Sequence, residues 1–108
     1  MAQVKWQKRA EGELYRILVK GFLQFGDTTA NKFSERVAFI NQELTRFPET
    51  GFLEPLLKGR KQVYRSYLIN KRFKLIYYYV SSSDTVIVAD IWDTKREPKN
   101  LVSRIKSK

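Results

Sequence analysis

The sequence contains no cysteine and no histidine among its 108 residues. Without cysteine, the chain can form neither a disulfide framework nor a thiolate metal site. Without histidine, it lacks His-based zinc sites, Ser–His and Cys–His nucleophile pairs, and imidazole acid–base chemistry near neutral pH. We therefore expect a protein with no metal site and no cofactor.

Acidic residues are scarce relative to basic ones. The chain has 11 aspartates and glutamates against 21 lysines and arginines, which gives a net charge of +10. Such a charge is typical of proteins with an anionic partner, for example nucleic acid or an acidic protein segment. The alternative is that the charge serves solubility alone.

Long apolar runs are also missing. None approaches the roughly 20 residues of a membrane-spanning helix, and the start MAQVKWQKRA has no apolar core of signal-peptide length. We expect a cytoplasmic protein that does not bind membranes. The length, with a hydrophobic fraction of 43%, predicts one folded domain over residues 1–108.

Hydrophobic periodicity predicts two helices after a short VKW strand. Apolar residues at spacings of three and four run over 10–25 and again over 30–47. Gly26 suits the end of the first helix, and Pro48 stops the second. Because the turn between them is short, the two helices must form an antiparallel hairpin.

Three strand candidates follow a loop over 49–60, at residues 62–69, 72–80 and 85–92. The pattern predicts an α+β fold, in which the helical hairpin packs on one face of a small antiparallel β-sheet. The basic segment after 93 contains Pro98, and we expect residues 102–108 to form a frayed tail.

The turn at Asn70–Lys71 decides which charges share a face of the sheet. A two-residue turn would place Tyr67 opposite Lys74, and the apolar side of the hairpin under the helices. The other side would then be open to solvent and would carry Arg65, Tyr67, Arg72, Lys74 and Tyr78. The basic residues that flank this sheet in sequence are Lys58, Arg60, Lys61, Lys95 and Arg96.

Cations interleaved with aromatic rings suggest a nucleic-acid interface, because cations bind phosphates and rings stack on unpaired bases. We therefore predict a nucleic-acid or target-binding surface that includes Arg60, Lys61, Tyr67, Arg72, Tyr78 and Lys95. The alternative is an ordinary solvated face of an antiparallel sheet.

The facing of the last strand stays open. If Val80 lies opposite Thr85, Asp90 and Trp92 point toward the helices, where a carboxylate needs a partner. A β-bulge would reverse that facing.

Three motifs resemble the RelE/ParE superfamily of bacterial type II toxins. The second helix closes with the pattern L-x-x-F-P-x-x-G over residues 44–51. An arginine-bearing strand is followed by FKLIYYYV over 73–80, and the chain continues to the basic segment DTKREPKNL over 93–101. Their order is similar to that of the family across nearly the whole chain. The resemblance implies an α+β toxin fold and a short acidic antitoxin partner.

The superfamily contains two mechanisms, and the resemblance implies different roles for the same residues in each. RelE-like members cut mRNA on the ribosome without a metal, and their catalytic cations map onto Arg65, Lys74 and Arg96. ParE-like members share the fold and poison DNA gyrase. A second catalytic lysine of RelE falls on Tyr67 here, and its C-terminal catalytic tyrosine falls near Val102.

We favour the ParE-like mechanism, because the acid and base needed for RNA cleavage have no distinctive signature in this sequence. Tyr67, Tyr78 and Asp93 are the candidates. The alternatives are a ribosome-dependent mRNA endoribonuclease and a plain nucleic-acid-binding module outside the toxins.

Overall fold

The computed structural model describes residues 1–105. Its elements in chain order are β1 (Gln3–Trp6), α1 (Lys8–Phe25), α2 (Asp27–Arg46), β2 (Phe52–Leu53), β3 (Tyr64–Leu68), β4 (Phe73–Val80), β5 (Thr85–Asp93) and α3 (Pro98–Arg104). Two 3₁₀ turns, Pro55–Leu57 and Ser81–Ser83, complete the described chain. Gly26 separates α1 from α2 with a positive φ of 85°, a conformation that suits glycine.

The strands form one sheet in the order β1-β5-β4-β3-β2. Strands β2 to β5 pair antiparallel, whereas β1 lies parallel to β5. The predicted α+β fold with a helical hairpin on one face is confirmed, but the sheet is mixed. A parallel pair needs a long crossover connection, and the chain between β1 and β5 provides it.

The larger core lies between the helical hairpin and the face of the sheet that we call the helix side. Val37, Ile40 and Leu44 of α2 are buried there against Leu75 and Tyr77 of β4. β5 contributes Val86, Val88 and Ile91 to the same cluster. This apolar layer fixes the orientation of the sheet, because each helix must bury its hydrophobic stripe.

A second apolar cluster covers part of the opposite face, which we call the outer side. Leu101 of α3 and Ile105 pack there against Ile76, Trp92 and Leu57. Residues 102–105, which the sequence assigns to a frayed tail, include the end of α3, and the apolar pair at 101 and 105 packs on the outer side. Residues 106–108 of that prediction lie outside the described residues.

The register of the β3–β4 hairpin differs from the sequence prediction by one residue. Tyr67 pairs with Leu75 and Leu68 with Lys74. The cause is a wider loop: the Asn70 side chain accepts hydrogen bonds from the backbone N–H groups of Arg72 and Phe73, both at 2.8 Å. A one-residue shift moves every side chain of a strand to the other face. Arg65 and Tyr67 therefore lie on the helix side, and the prediction of their solvent-facing position is wrong.

A β-bulge sets the facing of the last strand. Tyr77 pairs with Val88 but Ile76 pairs with Asp90, so Ala89 is the extra residue. Beyond the bulge, Asp90 and Trp92 lie on the outer side rather than under the helices. Within residues 1–105, no helix is long and apolar enough to cross a membrane.

The core assignment predicts a large effect of Leu75→Ala and a small effect of Leu23→Ala. Leu75 is fully buried in the central strand β4, whereas Leu23 on α1 is 74% exposed. We expect Leu75→Ala to lower the free energy of unfolding by roughly 2–5 kcal/mol. The same truncation at Leu23 should change it by less than about 0.5 kcal/mol. Urea denaturation measures both, and equal losses would contradict the assignment.

Candidate functional site

The three cations that the resemblance maps to catalysis do not share one surface. Arg65 lies on the helix side, where its guanidinium donates to the carbonyl of Gly51 at 3.0 Å and lies 3.6 Å from Glu49. Lys74 lies on the outer side. Arg96 is exposed in the turn after β5, with its guanidinium 5.1 Å from the centre of the Trp92 ring.

Arg65 supports the loop that follows α2. The backbone N–H of Gly51 donates to the Tyr77 hydroxyl at 2.9 Å, while Arg65 binds the carbonyl of the same residue. A Cβ at Gly51 would lie only 2.7 Å from the backbone oxygen of Ser66, so glycine is required by this close approach. Burial raises the pKa of Tyr77. Arg65 therefore has a structural role on the covered face.

Lys74 forms an ion pair with the buried carboxylate of Glu54, which is 2% exposed. Glu54 also accepts hydrogen bonds from the Ser66 hydroxyl at 2.6 Å and from the N–H of Leu56 at 3.0 Å. Burial alone would raise the pKa of Glu54, but the bonds from Lys74, Ser66 and Leu56 outweigh it and hold the pKa below its usual range. The charge of Lys74 is thus balanced inside the protein.

Arg72 and Lys95 meet at Asp93, at the end of β5. Arg72 binds the Asp93 carboxylate through two guanidinium nitrogens, at 3.0 and 2.7 Å. The N–H of Lys95 donates to the same carboxylate at 3.0 Å. The bonds from Arg72 lower the pKa of Asp93, despite slight burial. Asp93 therefore stays ionised and fastens the hairpin loop, a poor arrangement for a general base.

Tyr67 and Tyr78 lie on opposite sides of the sheet. Tyr67 packs against the main core. The guanidinium of Arg36, a residue of α2, lies 5.6 Å from the centre of the Tyr67 ring. Tyr78 lies on the outer side, where its ring meets that of Tyr64 edge to face, with 5.3 Å between the ring centres. Of the two tyrosines predicted for the solvent-facing side of the sheet, Tyr78 alone is on the outer side.

A polar cluster fastens α3 to the outer side. Asp90 is fully buried, and one of its oxygens accepts from Arg104 at 2.9 Å. Arg104 also lies 3.3 Å from Glu13 of α1. Burial raises the pKa of Asp90 to about 6, with Glu13 acting in the same direction and Arg104 against it. Its second oxygen has no hydrogen-bond partner in the described chain, consistent with a carboxyl that holds its proton more tightly than usual.

Sequence reasoning missed Glu54, Tyr64 and Arg104. Glu54 precedes Pro55, and a residue that caps a helical turn often precedes a proline at the first turn position. This pair was a signal for a capped turn in the loop. The apolar spacing of Leu101 and Ile105 was a signal for a helix that carries Arg104 inward. No local pattern identified Tyr64, because its facing depends on the register of β3.

The three cations that the resemblance maps to catalysis are dispersed over the fold. Arg65, Lys74 and Arg96 do not converge on one point where a phosphate could sit, and two of them have carboxylate partners. In the part of the chain described, no group of three or more acidic side chains is placed to hold a metal ion.

Solved structures with the same arrangement identify the fold. A chromosomal ParDE toxin–antitoxin system from P. aeruginosa is similar with a TM-score of 0.67 and 16% identity, over 86% of this chain and 96% of that chain. The isolated E. coli RelE toxin is similar with a TM-score of 0.55 and 17% identity, over 98% of this chain and 100% of that chain. The intact E. coli RelBE toxin–antitoxin complex matches with a TM-score of 0.56 and 15% identity, over 89% of this chain and 100% of that chain. The fold is that of the RelE/ParE toxins.

The family follows from the sequence match. Residues 4–98 match the family described as the ParE toxin of the type II toxin–antitoxin system, parDE. The chain belongs to this family and is a type II toxin of the RelE/ParE superfamily. Comparison with curated proteins finds no significant match.

The buried ion pair predicts that Glu54→Gln is costly. Removing one partner leaves Lys74, only 16% exposed, with an uncompensated charge. We expect a loss of roughly 3 kcal/mol in the free energy of unfolding. The exposed Glu97→Gln is the matched control and should cost less than about 0.5 kcal/mol. Urea denaturation of both variants is the measurement, and an unchanged midpoint for Glu54→Gln would show that the pair does not form.

The raised pKa of Asp90 predicts an opposite pH dependence for two neighbouring carboxylates. The folded state binds the Asp90 proton more tightly than the unfolded chain, whose pKa is 3.8. The contribution of the protonated Asp90 carboxyl to the free energy of unfolding is complete below about pH 4 and is lost as pH rises through about 6. The Asp90→Asn variant has no carboxyl proton to lose over this range. Its free energy of unfolding relative to that of the parent should therefore rise by roughly 3 kcal/mol between pH 4 and 7.

Asp93→Asn is the control for that measurement. The pKa of Asp93 is lowered, so this carboxylate stabilises the fold above its unfolded pKa and loses its contribution in acid. The stability of Asp93→Asn relative to the parent should therefore fall as pH rises. Urea denaturation of the parent and both variants at pH 4 and pH 7 measures how each difference in the free energy of unfolding changes with pH. If the relative stabilities of the two variants changed with pH in the same direction, the Asp90 carboxyl would be better solvated than its burial indicates.

Proposed function

We propose that this toxin inhibits growth by binding DNA gyrase rather than by cutting mRNA. The observation that carries the proposal is the ion pair between Lys74 and the buried Glu54. A cation that stabilises charge on a reacting phosphate must be free to face it. Lys74 is instead neutralised by a carboxylate that has 2% exposure and accepts two further hydrogen bonds.

The position of Arg65 supports the same conclusion. Metal-free cleavage by the 2′-hydroxyl needs a base, an acid and cations around one phosphate. Arg65 lies across the sheet from Lys74 and binds the Gly51 carbonyl. Val102, at the place of the catalytic tyrosine, has no group that transfers a proton.

We further propose that an acidic antitoxin neutralises this protein. The net charge of +10 favours a partner of opposite sign, which speeds association and selects against basic partners. Solved structures similar to this chain include the RelBE toxin–antitoxin complex. Exposed apolar side chains on α1, such as Tyr15, Phe22 and Leu23, offer area for an apolar contact within such a complex.

Two purified systems separate the mechanisms. The toxin is mixed with gyrase and plasmid DNA in one, and with translating ribosomes and mRNA in the other. We expect gyrase-bound double-strand breaks in the first and intact mRNA in the second. Induction in bacterial cells should correspondingly activate the DNA-damage response without loss of messages. Cleaved mRNA with unaffected gyrase would overturn the proposal.

Arg96→Ala, with Lys99→Ala as the matched control, tests the role of the exposed cation. Both side chains are exposed and carry one charge, but Arg96 alone maps to the nuclease. If the toxin does not use Arg96 in catalysis, both variants should inhibit growth within about threefold of the parent. A specific loss of 100-fold or more in Arg96→Ala, the size expected for a group that stabilises transition-state charge, would favour a nuclease.

A further inference from the structure

A cleft on the outer side lies between the chain before β3, the paired tyrosines and the end of α3. It encloses about 650 Å³. Its charged and aromatic lining consists of Arg9, Arg60, Lys61, Arg104, Tyr64 and Tyr78. No carboxylate is among the described residues that line it. The three residues that the resemblance maps to catalysis lie elsewhere.

Three cations of the cleft keep their net charge. Arg60 donates to the carbonyl oxygens of Val102, at 2.8 Å, and Ile105. Arg9 donates to the carbonyl of Arg104. A bond to a carbonyl fixes the direction of a guanidinium but does not cancel its charge, and each guanidinium retains further donors.

Lys61 is exposed at the rim. Within residues 1–105, Arg9, Arg60 and Lys61 have no carboxylate partner. Arg104 differs, because Asp90 and Glu13 balance its charge. The cleft therefore carries a fixed excess of positive charge beside a low-dielectric wall, which concentrates its attraction for anions.

The aromatic wall gives the cleft a second chemical property. Tyr64 and Tyr78 are both half-buried, and their edge-to-face contact at 77° holds the rings in place. Neither hydroxyl makes a hydrogen bond with a described residue. Burial raises the pKa of Tyr64, so its phenol remains a hydrogen-bond donor at neutral pH. Rigid, partly exposed rings between cations match the chemistry of an unpaired nucleotide.

We propose that this cleft binds single-stranded nucleic acid, with backbone phosphates on Arg9, Arg60 and Lys61 and an unpaired base against Tyr64 and Tyr78. Duplex is disfavoured, because its bases are already stacked and cannot reach the rings. An acidic peptide would use the cations but leave the aromatic wall without a stacking partner. This inference goes beyond the gyrase proposal, and its assay contains no gyrase, so either can fail alone.

The test measures the fluorescence anisotropy of a labelled oligothymidylate with the purified toxin, at a series of salt concentrations. Lys61→Ala should weaken binding about fivefold near 0.1 M salt and reduce the salt slope by about 0.7. Lys71→Ala is the matched control, since Lys71 is also exposed, in the loop between β3 and β4. It should change the affinity by less than about twofold.

The aromatic contribution is tested with two substitutions at Tyr78. Tyr78→Leu removes the ring and should weaken binding at least about fivefold. Tyr78→Phe keeps the ring and should bind within about twofold of the parent. Thermal unfolding of both variants shows that a loss of binding is not a loss of fold.

Three results would overturn the proposal. Equal weakening by Lys61→Ala and Lys71→Ala would show a diffuse response to charge rather than a site. Duplex DNA that binds as tightly as the single strand would exclude base stacking. An unchanged affinity in Tyr78→Leu, together with equal competition by a polyglutamate peptide, would identify a site for an acidic protein segment.

Discussion

The loop between β3 and β4 is the constraint on which the faces of the sheet depend. One side-chain oxygen of Asn70 accepts hydrogen bonds from the N–H groups of Arg72 and Phe73, and the N–H of Ile69 binds the Phe73 carbonyl at 2.9 Å. These bonds close a three-residue loop. Because side chains alternate along a strand, this loop decides whether Arg65 lies under the helices or on the outer side.

Residues at the end of β5 also hold this loop in place. The carbonyl of Arg72 accepts from the N–H of Thr94 at 2.8 Å and from its hydroxyl at 2.7 Å, while the Arg72 side chain binds Asp93. A one-residue slip of the β3–β4 register would break the Asn70 bonds and turn Tyr67 away from the main core. Local hydrogen bonds and core packing therefore select the same register, as expected for a sequence whose local and global preferences agree.

The outer side shows how a strongly basic chain uses its charges internally. Glu54 and Asp90 are buried carboxylates in a protein with few acidic residues, and each binds a cation that reaches the outer side. Lys74 and Arg104 are thereby held in position and neutralised. Burial of an ion pair adds little net stability compared with apolar packing, but it restricts which packing arrangements avoid an unpaired charge.

The sequence was sufficient to predict the main helices and strands, but not the short strand β2 or every facing. Two helices, their short connection at Gly26 and three main strands follow from apolar periodicity and from Gly and Pro positions. On β4, the helix-side positions of Phe73 and Leu75 are confirmed. The facing of β3 failed, because a three-residue loop stabilised by Asn70 cannot be told from a two-residue turn by composition. The bulge at Ala89 likewise leaves no pattern, since it depends on how β5 pairs with β4.

The candidate site was harder to predict for a related reason. Charge composition indicated an anionic partner, yet it could not show which cations were already paired. Glu54 and Lys74 are 20 positions apart in sequence, and Asp90 and Arg104 are 14 apart. Their contacts exist only after the 3₁₀ turn and α3 fold onto the outer side. Conversely, Arg60 and Lys61 were named from their flanking position, and the structure brings both to one cleft with Tyr78.

The distribution of these contacts also bears on how one fold can support two mechanisms. A nuclease of this shape needs cations that converge on a phosphate, whereas a protein that acts by binding needs only an accessible charged surface. In this chain, Arg65 is separated from Lys74 by the sheet, and the charge of Lys74 is neutralised by the buried Glu54. Removing the Glu54 charge alone would leave Lys74 unpaired without bringing Arg65 across the sheet. A catalytic arrangement would therefore require changes in the hairpin loop and in the buried ion pair together, which supports the proposed binding role.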